Sequence, residues 1–168
     1  MNWFFLTVGY SGLCPKAPGT MGTLAALPLG VLILVYFGAG TLFLATLLIS
    51  LIAIKAINKY EEESGTHDNQ KIVIDELAGI WFALSVAPAM SVGFGEMLTL
   101  ENGFLVQVLL SFVLFRYFDI TKPSIIGKID KEAQGGIGVM GDDIVAGFAA
   151  GISSALLWQG YLKLAALF

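Results

Sequence analysis

From Leu24 to Ile54 the chain runs for 31 residues without a charge. Two further runs, Leu77–Gly95 and Ile144–Leu162, are also uncharged. A helix that crosses a bilayer needs about 20 apolar residues, with a range near 17–25. The two later runs meet that length directly. The first is interrupted by "YFGAGT" at Tyr36–Thr41, whose two glycines sit where a tight turn would. Two helices are expected there, roughly Met21–Phe37 and Thr41–Lys59. Further helices are expected at about Asp75–Val92, Gly103–Tyr117 and Asp143–Leu164. Asn102–Phe115 has only 14 residues, short for a span unless Arg116 snorkels to the interface. Pro28 and Pro88 lie inside apolar segments and are expected kink points.

Composition points the same way. The chain is 57% hydrophobic and 13% charged, against roughly 25% charged in a soluble domain. We therefore expect an all-α integral membrane bundle of about five apolar helices. At 168 residues it is one domain, 1–168. A net charge of −4 argues against a nucleic-acid partner. A single cysteine, Cys14, excludes an internal disulfide framework. The N-terminus has no basic residue before its apolar stretch, unlike a secretory signal.

Five spans in sequence would put residues 1–20, 55–74 and 116–142 on one side. Those pieces hold Lys16, Lys55, Lys59, Lys71, Arg116, Lys122, Lys128 and Lys131, while the other side has only Lys163. Such a bias makes the first side cytoplasmic. Asp68, Asp75, Glu76, Asp119, Asp130, Asp142 and Asp143 fall on it too. The polar chemistry is thus gathered at one membrane face, as cytoplasmic-side loops carrying a site.

Two acid pairs stand before apolar runs: Asp75–Glu76 in "IVIDELAGIW" and Asp142–Asp143 in "GGIGVMGDDIVAG". Helix capping explains one such acid well. It explains two pairs plus Asp119 in "FRYFDITKP" poorly. Gly147 and Gly151 form a small-xxx-small pattern that lets helices approach closely and could bring both pairs to one end of the bundle. Carboxylates held together repel unless a cation lies between them. One His and one Cys make a zinc site unexpected, and oxygen ligands suit Mg²⁺, Mn²⁺ or Ca²⁺. Mg²⁺ usually takes one or two carboxylates and completes its shell with water and phosphate oxygens.

Phosphate is the next inference. "SGLCPKAPGTMGTL" (Ser11–Leu24) presents Lys16, Gly19, Thr20 and Gly22 at the start of a helix. Backbone N–H groups, a hydroxyl and a lysine there make an anion site, although an ordinary Pro/Gly turn would read the same. Gly135 and Gly136 begin a second glycine-rich stretch, which lacks the Gly-Lys-Ser/Thr of a P-loop. Arg116 and Lys122 flank Asp119 and could bind phosphate or pair with the acids. Other phosphate chemistries are missing their residues. Thr20 stands six residues after Cys14 and no arginine follows at the cysteine-phosphatase spacing. Asp119-Ile-Thr lacks a second aspartate, and His67 has no second histidine. The Asp-Gly-x-x-Ala-Arg start of membrane alcohol phosphatidyltransferases is absent as well.

Four blocks, "CPKAPGTMGTL", "HDNQKIVIDELAG", "FRYFDITKPSII" and "GGIGVMGDDIVAG", resemble those of bacterial phosphatidylglycerophosphatase A in order and spacing. Cys14 stands where that family often has serine. The resemblance implies a compact all-helical fold with a central helix, in the bacterial inner membrane. It implies a Mg²⁺-dependent phosphatase that converts phosphatidylglycerophosphate, taken from the bilayer, to phosphatidylglycerol and inorganic phosphate. The family's acidic positions fall on Asp68, Asp75, Glu76, Asp119, Asp142 and Asp143, the expected metal ligands, and its first-block lysine falls on Lys16. Asp75, Glu76, Asp142, Asp143 and Lys16 would carry the chemistry. A carboxylate would deprotonate a metal-activated water for attack on phosphorus. Lys16, Gly19, Thr20, Arg116, Lys122, Gly135 and Gly136 would hold the phosphate. His67 reads as a bystander. The rivals are a phosphotransferase acting on a lipid headgroup and a small transporter, which would place ionisable residues mid-span instead.

Overall fold

The uncharged first run folds back on itself. In the computed structural model, which describes residues 2–66, 69–87 and 103–167, all regular structure is helical. The elements are α1 (Trp3–Leu6), a 3₁₀ turn (Ser11–Leu13), α2 (Pro18–Ser64), α3 (Ile74–Val86), α4 (Phe104–Thr121), α5 (Ile125–Glu132) and α6 (Gly135–Ala165). Within α2, Gly38 has φ 83° and ψ 168°, outside helical space. Glycine adopts that conformation without a side-chain clash. Gly30 packs on the indole of Trp81, while Phe43 meets the ring of Phe82 at 5.4 Å. On a straight helix residues 30 and 43 would stand about 20 Å apart, yet they touch neighbours on α3. Residues 18–37 and 39–64 therefore form a hairpin with Gly38 at its tip. The expected turn at "YFGAGT" contracts to one residue. Pro28 stays in helical backbone, and Pro88 lies outside the described residues.

Among the described residues three helices are long and apolar enough to cross a membrane: α2, α4 and α6. The outward faces of α2 and α6 carry exposed Leu44, Leu48, Leu51 and Leu156. The inward faces carry small polar groups instead. Thr46 and Ser50 are buried, and their hydroxyls donate to the carbonyls of Leu42 and Thr46 at 2.8 and 2.7 Å. Trp81 donates its indole N–H to the Ala26 carbonyl at 2.9 Å. Where the solvent is lipid, buried polar groups must find partners inside the protein and small residues let helices close up.

The centre is α3. Nine of its residues, from Ile74 to Leu84, are buried, so it is enclosed on every face rather than on one stripe. It packs between the α2 hairpin and α6. At the α3–α6 crossing Gly147 lies directly on the Gly79 carbonyl, and Gly79 lies under the Phe115 ring. The expected span Leu77–Gly95 is described only as far as Ala87; the rest lies outside the described residues.

Three boundaries differ from expectation. α4 continues past its expected end at Tyr117 to Thr121, giving an 18-residue helix around the 14-residue uncharged run. α5, which places Ile126 inward and Lys128 and Lys131 outward, was not expected at all. α6 starts at Gly135, eight residues before Asp143. Its glycines are packing positions: Gly136 sits on the Ile54 backbone, Gly138 on the Ala133 carbonyl and Gly141 against Ile129.

Candidate active site

The chain order and the α2 reversal bring four helix segments to one end of the bundle: the start of α2, the start of α3, the end of α4 and the first turns of α6. Between them lies a cavity of about 450 Å³ lined by Gly19, Thr20, Asp75, Glu76, Arg116, Asp119, Lys122, Asp130, Asp142 and Asp143, among others.

Asp75 and Glu76 lie in the first turn of α3, where a helix dipole favours acids. Neither is the cap residue; Val73 holds that position without a side-chain bond. Asp75 Oδ1 accepts the Glu76 N–H at 2.9 Å. Glu76 turns away from its own helix end towards Arg116 and the hydroxyl of Thr23, 3.0 Å from Oε2. A Cβ on Gly19 would overlap Glu76 Oε1, so the absent side chain makes room for the carboxylate.

Asp142 and Asp143 are not at a helix start, contrary to the sequence expectation. They lie two turns inside α6, where backbone N–H groups already bond within the helix, so capping does not account for them. Both are buried. Carboxylate oxygens of Asp143, Glu76 and Asp119 lie within 4.8 Å of one another.

Two cations answer the acids. Arg116 pairs with Glu76 and with Asp119, the latter at 2.9 Å, and Nη1 donates to Thr23 Oγ1 at 3.3 Å. Its Nε is buried with no hydrogen-bond partner among the described residues. Lys122, at the left-handed end of α4, bridges Asp130 on α5 and Asp142 on α6, the latter at 2.6 Å. Partial burial works against its charge, but the bonds to Asp130 and Asp142 outweigh it and hold the ammonium above the usual lysine range.

The remaining expected residues divide. Gly19 and Thr20 supply first-turn N–H groups of α2, which have no partner within the helix. Lys16 is exposed and does not line the cavity. Gly135 and Gly136 do not line it either: the Gly136 N–H is taken by Asn58 Oδ1 at 2.6 Å, and Gly135 lies against the same side chain. Those two N–H groups were expected at phosphate because the stretch read as a loop. As the start of α6 it anchors that helix to α2. Asp68 and His67 lie outside the described residues. Thr23 and Asp130 are additions. Thr23 follows Gly19 by four residues and so shares its helix face. Asp130 would have emerged from an amphipathic reading of "IIGKIDKE".

Six carboxylates thus line the cavity against Arg116 and Lys122. Like charges so placed repel one another, and an all-oxygen donor set is of the kind that fits a hard divalent ion. Glu76, Asp119 and Asp143 are the residues that could hold it.

A family model described as Phosphatidylglycerophosphatase A matches residues 4–158. The chain is 36% identical over 146 residues to Phosphatidylglycerophosphatase A of Haemophilus influenzae, covering 86% of this chain and 82% of that protein. It is 36% identical over 152 residues to Phosphatidylglycerophosphatase A of Escherichia coli, covering 89% and 80%. A Bacteroides thetaiotaomicron protein, provisionally named a phosphatidylinositol-3-phosphatase, is 33% identical over 141 residues, covering 82% and 80%. No solved structure gives a significant match. With the family model spanning nearly the whole chain and the relatives matching over most of theirs, the chain belongs to the phosphatidylglycerophosphatase A family.

Proposed function

We propose that this chain hydrolyses phosphatidylglycerophosphate to phosphatidylglycerol and inorganic phosphate, with Mg²⁺, at the cytoplasmic face of a bacterial inner membrane. The observation that carries the reading is the placement of the carboxylate cavity. It lies at one end of a bundle of apolar helices, where a lipid phosphate would reach it while the acyl chains stay in the hydrocarbon.

Glu76, Asp119 and Asp143 would hold the ion. When bound, Mg²⁺ neutralises phosphate oxygens and makes water more acidic. Arg116, Lys122 and the N–H groups of Gly19 and Thr20 face the phosphate and stabilise charge that develops on its oxygens. Asp75 lines the cavity outside the three-carboxylate set and outside every ion pair among the described residues, so we assign it the proton of the attacking water. The water oxygen bonds to phosphorus as the phosphorus–oxygen bond to glycerol breaks, and the glycerol oxygen leaves as an alcohol with the proton that Asp75 took from the water.

Phosphate release from several lipid phosphates tests the reading. Phosphatidylglycerophosphate should be hydrolysed faster than phosphatidylinositol 3-phosphate. The reverse order would move the substrate assignment, and transfer of the phosphate to another alcohol in place of its release would make the protein a phosphotransferase. Excess EDTA should abolish turnover and Mg²⁺ should restore it; undiminished turnover in EDTA would remove the metal from the mechanism. Ca²⁺ should substitute poorly, because it prefers longer bonds and looser coordination.

Orientation has its own test. With the α2 hairpin counted as two crossings and α3, α4 and α6 as one each, both ends of the chain fall on opposite sides. A reporter inserted at Glu63 should read cytoplasmic and one fused after Phe168 periplasmic. Two cytoplasmic readings would mean that one apolar segment does not cross.

A further inference from the structure

We propose that Arg116 is an exchangeable counter-ion: without a divalent cation it holds Glu76 and Asp119 together, and on cation binding it releases Glu76 and turns its donors to the substrate phosphate. The inference rests on the metal-dependent reading above.

The argument begins with shared ligands. Arg116 pairs with Glu76 and Asp119, two of the three carboxylates whose oxygens converge with Asp143. All three side chains of this group are largely buried, at 14%, 10% and 12% exposure for Arg116, Glu76 and Asp119. In so little water two positive charges beside one carboxylate oxygen repel strongly. A divalent ion and the guanidinium therefore compete for Glu76 Oε2.

The second observation concerns unused donors. A guanidinium carries five N–H groups in a planar fork suited to two-pronged phosphate binding. Here the ion pairs and the Thr23 bond all run through Nη1. Nε is buried without a partner, a costly state for a charged donor. Nη2 lies beside Gly19, 3.4 Å from where its Cβ would stand, at the N-terminus of α2 where N–H groups also face the cavity. An anion placed there satisfies the idle edge of the fork and the helix end together. The present arrangement thus has the guanidinium half engaged with acids and half aimed at the place a phosphate would take.

The proposal makes two effects of one substitution run in opposite directions. A residue that merely held the acids in place would, when removed, weaken cation binding and turnover alike. An exchangeable counter-ion, when removed, stops competing. Arg116→Ala should bind Mg²⁺ about fivefold more tightly than wild type, because a repelling charge has left a site of low dielectric. It should nonetheless hydrolyse phosphatidylglycerophosphate about 100-fold more slowly, having lost the fork that meets the phosphate.

The experiment is calorimetric titration of Mg²⁺ into detergent-solubilised full-length protein purified in Mg²⁺ and then stripped with chelator. Melting with and without Mg²⁺ is recorded in parallel. Arg116→Ala should melt below wild type without Mg²⁺ and gain more from its addition. Arg116→Lys covers the case in which the alanine variant does not survive stripping. It keeps the charge without the fork, so Mg²⁺ affinity should stay near wild type while turnover falls. Weaker or unchanged Mg²⁺ binding by Arg116→Ala, or Arg116→Lys with wild-type turnover, overturns the exchange. Absence of Mg²⁺ binding by wild type itself overturns the metal-dependent reading and the exchange with it.

Discussion

Asp143→Asn is expected to lower phosphate release by about 100-fold or more, equivalent to about 2.7 kcal/mol at 1.36 kcal/mol per decade, while leaving the metal-free protein as stable as wild type or more so. Asparagine has nearly the shape of aspartate but offers one neutral oxygen where the carboxylate offers two charged ones. A cation held by Glu76, Asp119 and Asp143 would lose a third of its anionic ligands. Stability should move the other way. Asp143 is 3% exposed and forms no ion pair among the described residues, while Arg116 is already shared by Glu76 and Asp119. Removing a buried charge without a partner relieves repulsion. Asp75→Asn should behave alike in activity, through loss of the proton acceptor. Glu63→Gln is the control, because Glu63 is exposed and its ion pair among the described residues is with Lys59, at 3.8 Å. Asp130 would be a poor control: it shares Lys122 with Asp142, and its loss should lower activity partially. Near-wild-type hydrolysis by Asp143→Asn would mean that this carboxylate is structural and the cation site lies elsewhere.

The relation of these residues was only partly visible in the sequence. The hairpin was legible because 31 uncharged residues with a Gly-Ala-Gly centre cannot stay one helix in a bilayer of ordinary thickness. The convergence of the acids was legible because they all precede or follow apolar runs on one side. Their local structure was not. "GGIGVMG" reads as a loop by propensity, since glycine disfavours helices by about 1 kcal/mol each. Tertiary packing overrides that cost: the backbone of Ile54, the Ala133 carbonyl and Ile129 occupy the space side chains would need. The role of Gly135 and Gly136 was misread for the same reason, since a glycine that admits a phosphate and one that admits a helix look identical in one sequence. The choice between phosphate and acid as the partner of Arg116 was open in the sequence. Only the fold, which places Thr23 and Glu76 beside it from 93 and 40 residues away, shows the acids in contact.

The helix crossing beneath the cavity should be as sensitive as the cavity itself. Gly147→Val is expected to lower the melting temperature markedly and to reduce phosphate release by more than about 100-fold, the order of loss that a displacement near 1 Å can produce. A Cβ at Gly147 would collide with the Gly79 carbonyl, which is backbone of the central helix and has no rotamer to change. Overpacking of this kind typically costs about 1–3 kcal/mol, relieved only by pushing α6 away from α3. Asp143 stands one turn before Gly147 on the same face of α6, and Glu76 stands just before Gly79 on α3. Separating the helices at the glycine contact therefore separates the carboxylates that converge above it. Gly160→Val, on the same helix, has nothing within 4 Å of the added Cβ and should melt and turn over like wild type. Mg²⁺ should recover part of the lost stability in Gly147→Val, because a cation drawing Asp143 towards Glu76 works against the wedge. Wild-type melting and turnover in Gly147→Val would mean that α3 and α6 do not meet backbone to backbone, and that the acids are brought together by some other contact.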